Sequence, residues 1–215
     1  MEWGISTGTG NGHVLIYGID SLIGWQSGAY DIYNAQTDYA GLFAKINARP
    51  AALLSLAHPQ TGDFDDIEGV AYASASDQAV SGVSVRSGYA FSTTQDYSDN
   101  PATLYETYFK TLLSKGYHLA PSIDHDNHNT TFGRTLPGRT VVLAASRTKT
   151  AILGAIKNMH YFASDDWNAQ VTFTVTGQIM GNIASIAGDP VISVSNADPD
   201  GETISSIEID RKSVV

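Results

Sequence analysis

Hydrophobic and polar residues follow two different rhythms along this chain. In the first three quarters, short apolar runs typical of buried strands alternate with segments whose apolar residues recur at the helical period. The apolar runs predict strands at residues 14–19, 52–57, 80–85, 116–120 and 140–145. This strand-helix-strand order predicts a parallel sheet, either open or closed into a barrel.

Three amphipathic helices are predicted between these strands. The first covers about residues 37–47 and takes Thr37 or Asp38 as its N-terminal cap. The second covers about residues 101–114, with a proline in its first turn, and the third covers about residues 148–158. The residues of the second helix expected to face the core are Leu104, Tyr105, Tyr108 and Leu112.

The rhythm changes about three quarters of the way along the chain, after which only strands are predicted. Apolar and polar residues alternate strictly at 171–176, similar patterns follow at 191–194 and 204–209, and turn sequences separate these segments. This pattern predicts an antiparallel, β-rich segment. We therefore divide the chain into an α/β unit at residues 1–165 and a β-rich extension at residues 166–215.

Three carboxylates lie in and beside the last of these turns, namely Asp198, Asp200 and Glu202. Carboxylates at this spacing could bind calcium. In a Pro-Asp-Gly turn, however, carboxylates more often bond to the backbone of the turn itself. Turn formation is the favoured interpretation, and a calcium site is the alternative.

Composition and charge narrow the classes of partner. The chain has 215 residues, of which 42% are hydrophobic and 16% charged, so it is long and apolar enough to fold around a core. Its formal net charge of -10 disfavours broad binding to nucleic acid or to an anionic membrane, because both require a cationic surface. An anionic substrate stays possible where metal ions supply the positive charge.

Compartment is only weakly indicated by the sequence. The chain contains no cysteine, so no disulfide framework can form. It begins without the basic and apolar regions of a secretory signal, and its longest apolar run, 51–57, is too short to cross a bilayer. Localisation stays open, although few lysines with many tyrosines, asparagines and serines would suit an exported bacterial protein.

A cluster of carboxylates and imidazoles follows the predicted strand at 116–120. Asp126 and His128 are expected at its C-terminal end with their side chains on the same side. Imidazole and carboxylate together suit zinc, manganese or iron, and the absence of thiolate argues against a purely structural zinc site. For such a pair taken alone, a solvated loop is the alternative.

Two other histidines could join this cluster. His58 directly follows the strand at 52–57, at the end of a strand where parallel α/β folds gather their active sites. His13 follows a glycine-rich loop at 8–12 and comes shortly after Glu2. That loop precedes a strand instead of following one, so we reject dinucleotide binding there. The alternative for a single histidine of this kind is a satisfied loop residue.

Together these segments resemble successive motifs of the polymerase and histidinol phosphatase (PHP) superfamily of metal-dependent phosphoesterases. The resemblance runs from residue 1 to about residue 182. Its most specific part is Asp126-Asn127-His128, followed by Gly133, Arg139-Thr140 and the segment 161–165. The other matching segments are Glu2-Trp3-Gly4 with Gly12-His13, Ala57-His58-Pro59 and Ala120-Pro121.

The resemblance implies a distorted seven-stranded β/α barrel whose strand ends hold two or three divalent metal ions. By position, Glu2 would be a bridging carboxylate, and His13, His58, Asp126 and His128 would be further ligands. The implied reaction is hydrolysis of a small phosphorylated substrate by metal-activated water.

Three other residues near this cluster are candidates for a direct part in catalysis. Arg134 or Arg139 could clamp a phosphoryl oxygen, although a surface or strand-capping role is an equal alternative. His125 could donate a proton to the leaving group or support a ligand, with a solvated loop role again as the alternative.

The sequence departs from the family pattern at its start. Relatives open with an H-x-H pair on the first strand, and nothing near Glu2 supplies one. We therefore expect an incomplete barrel with an exposed edge that favours self-association, and a site that lacks some of its ligands. The alternative function is a non-catalytic binding or structural protein, in which Trp3, Trp25 and Trp167 could stack on a ligand.

Overall fold

The computed structural model describes residues 1–5, 11–94 and 103–210. The helices are α1 (Tyr39–Asn47), α2 (Asp63–Asp66), α3 (Ser74–Ala79), α4 (Glu106–Ser114) and α5 (Lys149–Lys157). The strands are β1 (Glu2–Ile5), β2 (Gly12–Tyr17), β3 (Ile23–Gly24), β4 (Ile32–Tyr33), β5 (Leu53–Ala57), β6 (Val80–Ser87), β7 (Thr103–Leu104), β8 (Ala120–Asp124), β9 (Arg139–Val142), β10 (Tyr161–Ser164), β11 (Gln170–Val175), β12 (Gln178–Ile179) and β13 (Ile192–Ala197). None of the described helices is long and apolar enough to span a membrane.

The main sheet is mixed rather than parallel. Its strands follow the order β1-β2-β5-β6-β7, and β8 also pairs with β6. The pairs β5-β6 and β6-β8 are parallel as predicted, but β2 runs antiparallel to both of its neighbours. The prediction failed at β2 because the connection from β2 to β5 starts and finishes at the same end of the sheet. Tyr17, the last residue of β2, therefore lies opposite Leu53, the first residue of β5.

A two-stranded antiparallel sheet of β9 and β10 continues the wall of the main sheet beside β8. Side chains make the link: the Thr140 hydroxyl accepts from the Ile123 N–H at 2.9 Å and donates to the Ile123 carbonyl at 3.1 Å. The Tyr161 hydroxyl donates to the carbonyls of Ser81 and Ala120. The fold over the described residues is thus α/β with several open sheets and no closed barrel.

The two faces of β2 have different surroundings. Val14 and Ile16 are buried in the apolar core, whereas His13, Leu15 and Tyr17 alternate with them on the other face and are only partly buried. The core face packs against α1 and α4, whose buried residues are Tyr39, Leu42, Phe43, Ile46, Tyr108 and Leu112. The opposite face is therefore free to line a polar cavity.

The predicted helices at 37–47 and 148–158 are confirmed within one or two residues at each end. Asp38 caps α1, because its carboxylate accepts from the Gly41 N–H at 2.7 Å. The Thr148 hydroxyl caps α5 in the same way.

The second predicted helix was placed too early along the chain. Within the described residues it begins at Glu106, and Leu104 lies in β7 with 56% of its surface exposed. Residues 101 and 102 lie outside the described residues. The strand predicted at 116–120 is instead β8 at Ala120–Asp124, because Gly116 ends α4 with a left-handed φ of 94°.

The C-terminal part contains an antiparallel sheet in the order β12-β11-β13, as the alternating pattern predicted. The strand predicted at 204–209 is wrong, since the described residues 201–210 adopt no regular structure. Its isoleucines are half exposed, so no packing surface selects the extended pairing that their spacing would allow.

Candidate metal centre

The pairing of β1 with β2 brings Glu2 and His13 to the same face of the sheet. Glu2 lies opposite Leu15, and His13 lies opposite Gly4, so the two side chains are diagonal neighbours. A Cβ at Gly4 would lie 2.0 Å from the Gly12 carbonyl oxygen, so this close approach of the strands requires glycine. The segment Glu2-Trp3-Gly4 thus places a carboxylate beside an imidazole.

His58 reaches the same point from the other side of β2. Ala57, the last residue of β5, lies opposite His13, and His58 follows it with a φ of 29°. Positive φ is strained for a residue other than glycine, and such strain concentrates at functional sites. The bend turns the imidazole of His58 toward His13.

These three side chains form a compact set of donor atoms. Nδ1 of His13 lies 3.0 Å from Oε1 of Glu2 and 3.2 Å from Nε2 of His58. Ligands bound at about 2.1 Å stand about 3.0 Å apart at right angles and about 3.4 Å apart at the tetrahedral angle. All three donor atoms lie within 4.8 Å of one another, so the set could close around one divalent cation.

Opposite charges stabilise this set in the absence of a cation. The hydrogen bond from His13 lowers the pKa of Glu2, and positive charge on His13, His58 and His128 lowers it further. The same bond raises the pKa of His13, against the opposing effect of burial. Without a metal ion, a proton shared by Glu2 and His13 therefore supplies the positive charge that a cation would supply at this position.

Asp126 and His128 lie in the loop after β8 and line the same cavity as Glu2 and His58. The cavity has a volume of about 450 Å³, and its lining also includes Leu15, Ala57, Ile123, Asp124, His125 and Asn127. Asp126 has a positive φ of 46°. Both residues lie in the predicted region, although they are not part of the compact set of Glu2, His13 and His58.

The ring of His128 is oriented as in many metal-bound histidines. Its Nδ1 lies 2.8 Å from the carbonyl oxygen of Asp126, and the ring packs on Phe91 with centroids 4.9 Å apart. When Nδ1 carries the hydrogen and donates to that carbonyl, Nε2 keeps its lone pair for a cation.

Two carboxylates near the site were missed from the sequence. Asp124 ends β8, and burial raises its pKa to about 6, with Asp126 and Glu2 adding to the effect. Burial also raises the pKa of Asp63, whose charge interacts with His58 and His13. Asp124 was overlooked because the strand was placed four residues too early, which hid its position at the strand end.

His125 and Arg139 form hydrogen bonds with the loop between β8 and β9. The ring nitrogens of His125 lie 3.3 Å from the Thr135 hydroxyl and 2.9 Å from the Gly138 carbonyl, and burial lowers its pKa. Arg139 donates to the carbonyls of Leu136 and Gly138. These contacts favour support of the loop for both residues, and their catalytic roles stay predictions.

The other predicted residues lie apart from the cavity. Arg134 is exposed in the same loop. Trp3 is buried and makes edge contacts with Trp25 and Tyr39, so it belongs to the core. Trp167 is 57% exposed and lines a different cavity beside the β-rich extension.

A second group of donors lies in that extension. The carboxylates of Asp166, Asp198 and Glu202 lie within 4.8 Å of one another. Asp200, which was grouped with the last two from the sequence, instead accepts from the Asn168 side chain at 2.9 Å. The extension therefore does bring carboxylates together, with Asp166 as the member that sequence spacing did not suggest.

Comparisons of the chain with protein-family models, with curated proteins and with solved structures found no match.

Proposed function

We propose that this protein is a metal-dependent hydrolase of phosphate esters, built on an incomplete β/α barrel of the PHP type. The observation that carries the proposal is the convergence of Glu2, His13 and His58. They come from β1, from β2 and from the end of β5, yet their donor atoms lie within 4.8 Å of one another. The same three residues belong to the sequence motifs that resemble the PHP superfamily.

The order of the strands supports the barrel-like part of this proposal. The wall β1-β2-β5-β6-β8 continues into β9 and β10 through the contacts of Thr140 and Tyr161. His58 directly follows the end of β5, and Asp124 is the last residue of β8. Asp126 lies two residues after Asp124. Active sites of such folds lie at the carboxyl ends of their parallel strands, where these residues are found.

The donor set suits hydrolytic rather than purely structural metal binding. A bound divalent cation would supply Lewis-acid chemistry, lowering the pKa of a water molecule and neutralising phosphoryl oxygens. Glu2, His13 and His58 would hold and orient that cation with three donors, which leaves positions open for water and substrate. Asp126 and His128 line the same cavity, where they could bind a further cation.

Charge also agrees with a small anionic substrate bound through metal. The net charge of -10 repels a phosphate ester, so the protein needs cations at the point of binding. The cavity of about 450 Å³ has room for a compact phosphorylated molecule.

The test combines metal content with turnover. We expect chelator-free protein to contain zinc, manganese or iron and to hydrolyse a generic phosphomonoester or phosphodiester in added Mn²⁺. His58→Ala should abolish turnover and lower metal content with little change in the circular dichroism spectrum. His118→Ala is the control, because His118 is exposed and pairs with Asp77 away from the cavity. Folded wild-type protein without metal and without turnover would contradict the proposal.

A non-catalytic binding protein is the second candidate, and one observation favours it. Trp167 is 57% exposed in a cavity of about 690 Å³ that is also lined by Arg139, Asp165, Asp166 and Glu202. An exposed indole beside polar groups suits stacking on a carbohydrate ring. Binding of soluble glycans by metal-free protein, lost in Trp167→Ala, would support this candidate.

A further inference from the structure

Asp124 is the carboxylate most deeply set in the wall of the candidate metal centre. It is the last residue of β8 and lies opposite Ser87 of β6. The cavity that contains Glu2, His58, Asp126 and His128 includes Asp124 in its lining. Its side chain therefore belongs to the same polar space as the ligands predicted from the sequence.

The two oxygens of Asp124 have different surroundings. Oδ1 accepts a hydrogen bond from the Ser122 hydroxyl at 3.3 Å. Oδ2 is buried from solvent, and the described residues offer it no hydrogen-bond partner. A buried carboxylate oxygen without a donor is unfavourable, and such atoms in a native fold call for an explanation.

The groups around Asp124 do not compensate for its charge. The hydroxyls of Ser84 and Ser122 favour its charge, but the Ser84 hydroxyl donates its hydrogen to the Arg86 carbonyl at 2.7 Å. The nearby charges, Asp126 and Glu2, are carboxylates. The cationic side chain nearest in the strand pairing is Arg86 of β6. It pairs with Glu106 at 3.4 Å and with Asp165 at 3.1 Å instead. A cation from solution is the partner that this arrangement suits.

We propose that Oδ2 of Asp124 is a metal ligand, so that the centre holds a second divalent cation on the side of Asp124 and Asp126. The first cation is the one at Glu2, His13 and His58. This inference rests on the proposed function, because it assigns a new ligand in the same centre. An oxygen-rich position beside a histidine-rich one favours a harder ion such as Mn²⁺ or Mg²⁺.

Metal stoichiometry tests the assignment without reference to activity. Protein freed of metal with chelator is titrated with Mn²⁺ and with Zn²⁺, and bound metal is measured by elemental analysis after desalting. We expect about two cations per chain for the wild type and about one for Asp124→Asn, which keeps the shape but loses the charge. Asp20→Asn is the matched control, since Asp20 is exposed and lines a different cavity.

A second readout follows stability in the same proteins. In chelator, Asp124→Asn should melt at the same temperature as the wild type or higher, because an uncompensated charge is gone. Added Mn²⁺ should then raise the melting temperature of the wild type by more than that of the variant. Asp124→Ser gives the same comparison with a smaller side chain should the asparagine variant fail to fold.

The outcomes separate the two levels of the argument. Wild type that binds no cation overturns both this inference and the proposed function. Wild type that binds cations, with unchanged stoichiometry and affinity in Asp124→Asn and Asp124→Ser, overturns the role of Asp124 alone. In that case a proton, rather than a cation, neutralises this carboxyl group in the folded protein.

Discussion

Two places in this protein bring three possible metal ligands within 4.8 Å of one another. One is the set Glu2, His13 and His58 in the strand wall, and the other is the set Asp166, Asp198 and Glu202 in the extension. By proximity alone they are equivalent. Their surroundings differ, and the difference shows which contacts make a cation site credible.

Two of the three carboxylates in the extension, Asp166 and Asp198, accept hydrogen bonds from backbone N–H groups close by in the chain. Oδ1 of Asp166 accepts from the N–H groups of Asn168 at 2.6 Å and Ala169 at 3.0 Å. Oδ1 of Asp198 accepts from the N–H of Asp200 at 2.7 Å. These are the local bonds by which aspartates form turns, so the set has an explanation that needs no cation. The turn interpretation of Asp198 agrees with these contacts, whereas the carboxylate of Asp200 accepts from the Asn168 side chain.

The set in the strand wall has no comparable local explanation. Glu2, His13 and His58 are far apart in sequence and meet through the pairing of β1, β2 and β5. His58 adopts a strained φ of 29°, and the nearby Oδ2 of Asp124 is buried without a donor among the described residues. Assembly from three strands and the strained φ of His58 are the features that distinguish this set.

The charges within the first set attract one another, whereas those within the second set repel one another. Attraction between Glu2 and His13 lowers the pKa of the first and raises that of the second. In the extension, negative charge on Asp166 and Asp198 raises the pKa of Glu202. A mixed set of imidazole and carboxylate matches zinc, manganese and iron, whereas a set of carboxylates alone matches calcium.

The largest expected effect is on metal affinity, when one glutamate in each set is replaced by glutamine. Glu2→Gln should weaken binding of Zn²⁺ or Mn²⁺ by about 100-fold or more, because it removes a charged ligand. Glu202→Gln should leave that affinity within about twofold, since its carboxylate lies in the exposed extension. Isothermal titration of metal-free protein measures both. Equal losses in the two variants would show that the sets do not differ as argued.

A smaller effect, on stability, is expected from removing side-chain hydrogen bonds in the strand wall and in the extension. Tyr161→Phe removes a buried hydroxyl that donates to the carbonyls of Ser81 and Ala120, and should cost about 1–3 kcal/mol of unfolding free energy. Asn168→Ala removes a bond to Asp200 in the extension and should cost about 1 kcal/mol or less. Urea unfolding at a fixed pH compares the two directly. An extension variant that lost more than Tyr161→Phe would reverse the expected ranking.

The sequence singled out three residues that lie close together in the fold, but it did not predict the direction of the strands that carry them. Motif order selected Glu2, His13 and His58, and strand alternation explains why His13 faces away from the core while Val14 faces into it. Direction was not predictable in the same way. Whether β2 runs parallel or antiparallel to β5 depends on where the connection through α1 returns, and local residue patterns do not encode that return.

Asp124 illustrates a second limit. From the sequence it was one of several acidic residues in a loop, because the strand was expected at 116–120. The structure places it at the end of β8, and burial of its Oδ2 depends on neighbours from other strands, such as Ser84. An error of four residues in a strand boundary thus hid a candidate ligand.

The smallest expected effect is a difference in pH dependence between the two sets, measured in chelator. The lowered pKa of Glu2 gives stability that is present above 4.5, its unfolded value, and lost as pH falls through the folded value. The raised pKa of His13 gives stability that is complete below 6.5 and lost as pH rises through its folded value. The attraction therefore contributes most between these two pH values.

The two glutamine variants should therefore change the unfolding free energy in opposite directions when urea unfolding is measured across this pH range. Wild type should exceed Glu2→Gln in unfolding free energy by most near pH 5.5, and the gap should narrow toward pH 9 as His13 loses its proton. Glu202 has a raised pKa, so its charge opposes folding above that value, and Glu202→Gln should equal or exceed the wild type at pH 8. Metal reverses the first trend, because cation binding needs neutral His13 and so strengthens as pH rises. A gap between wild type and Glu2→Gln that was independent of pH would mean that Glu2 and His13 are not paired in solution.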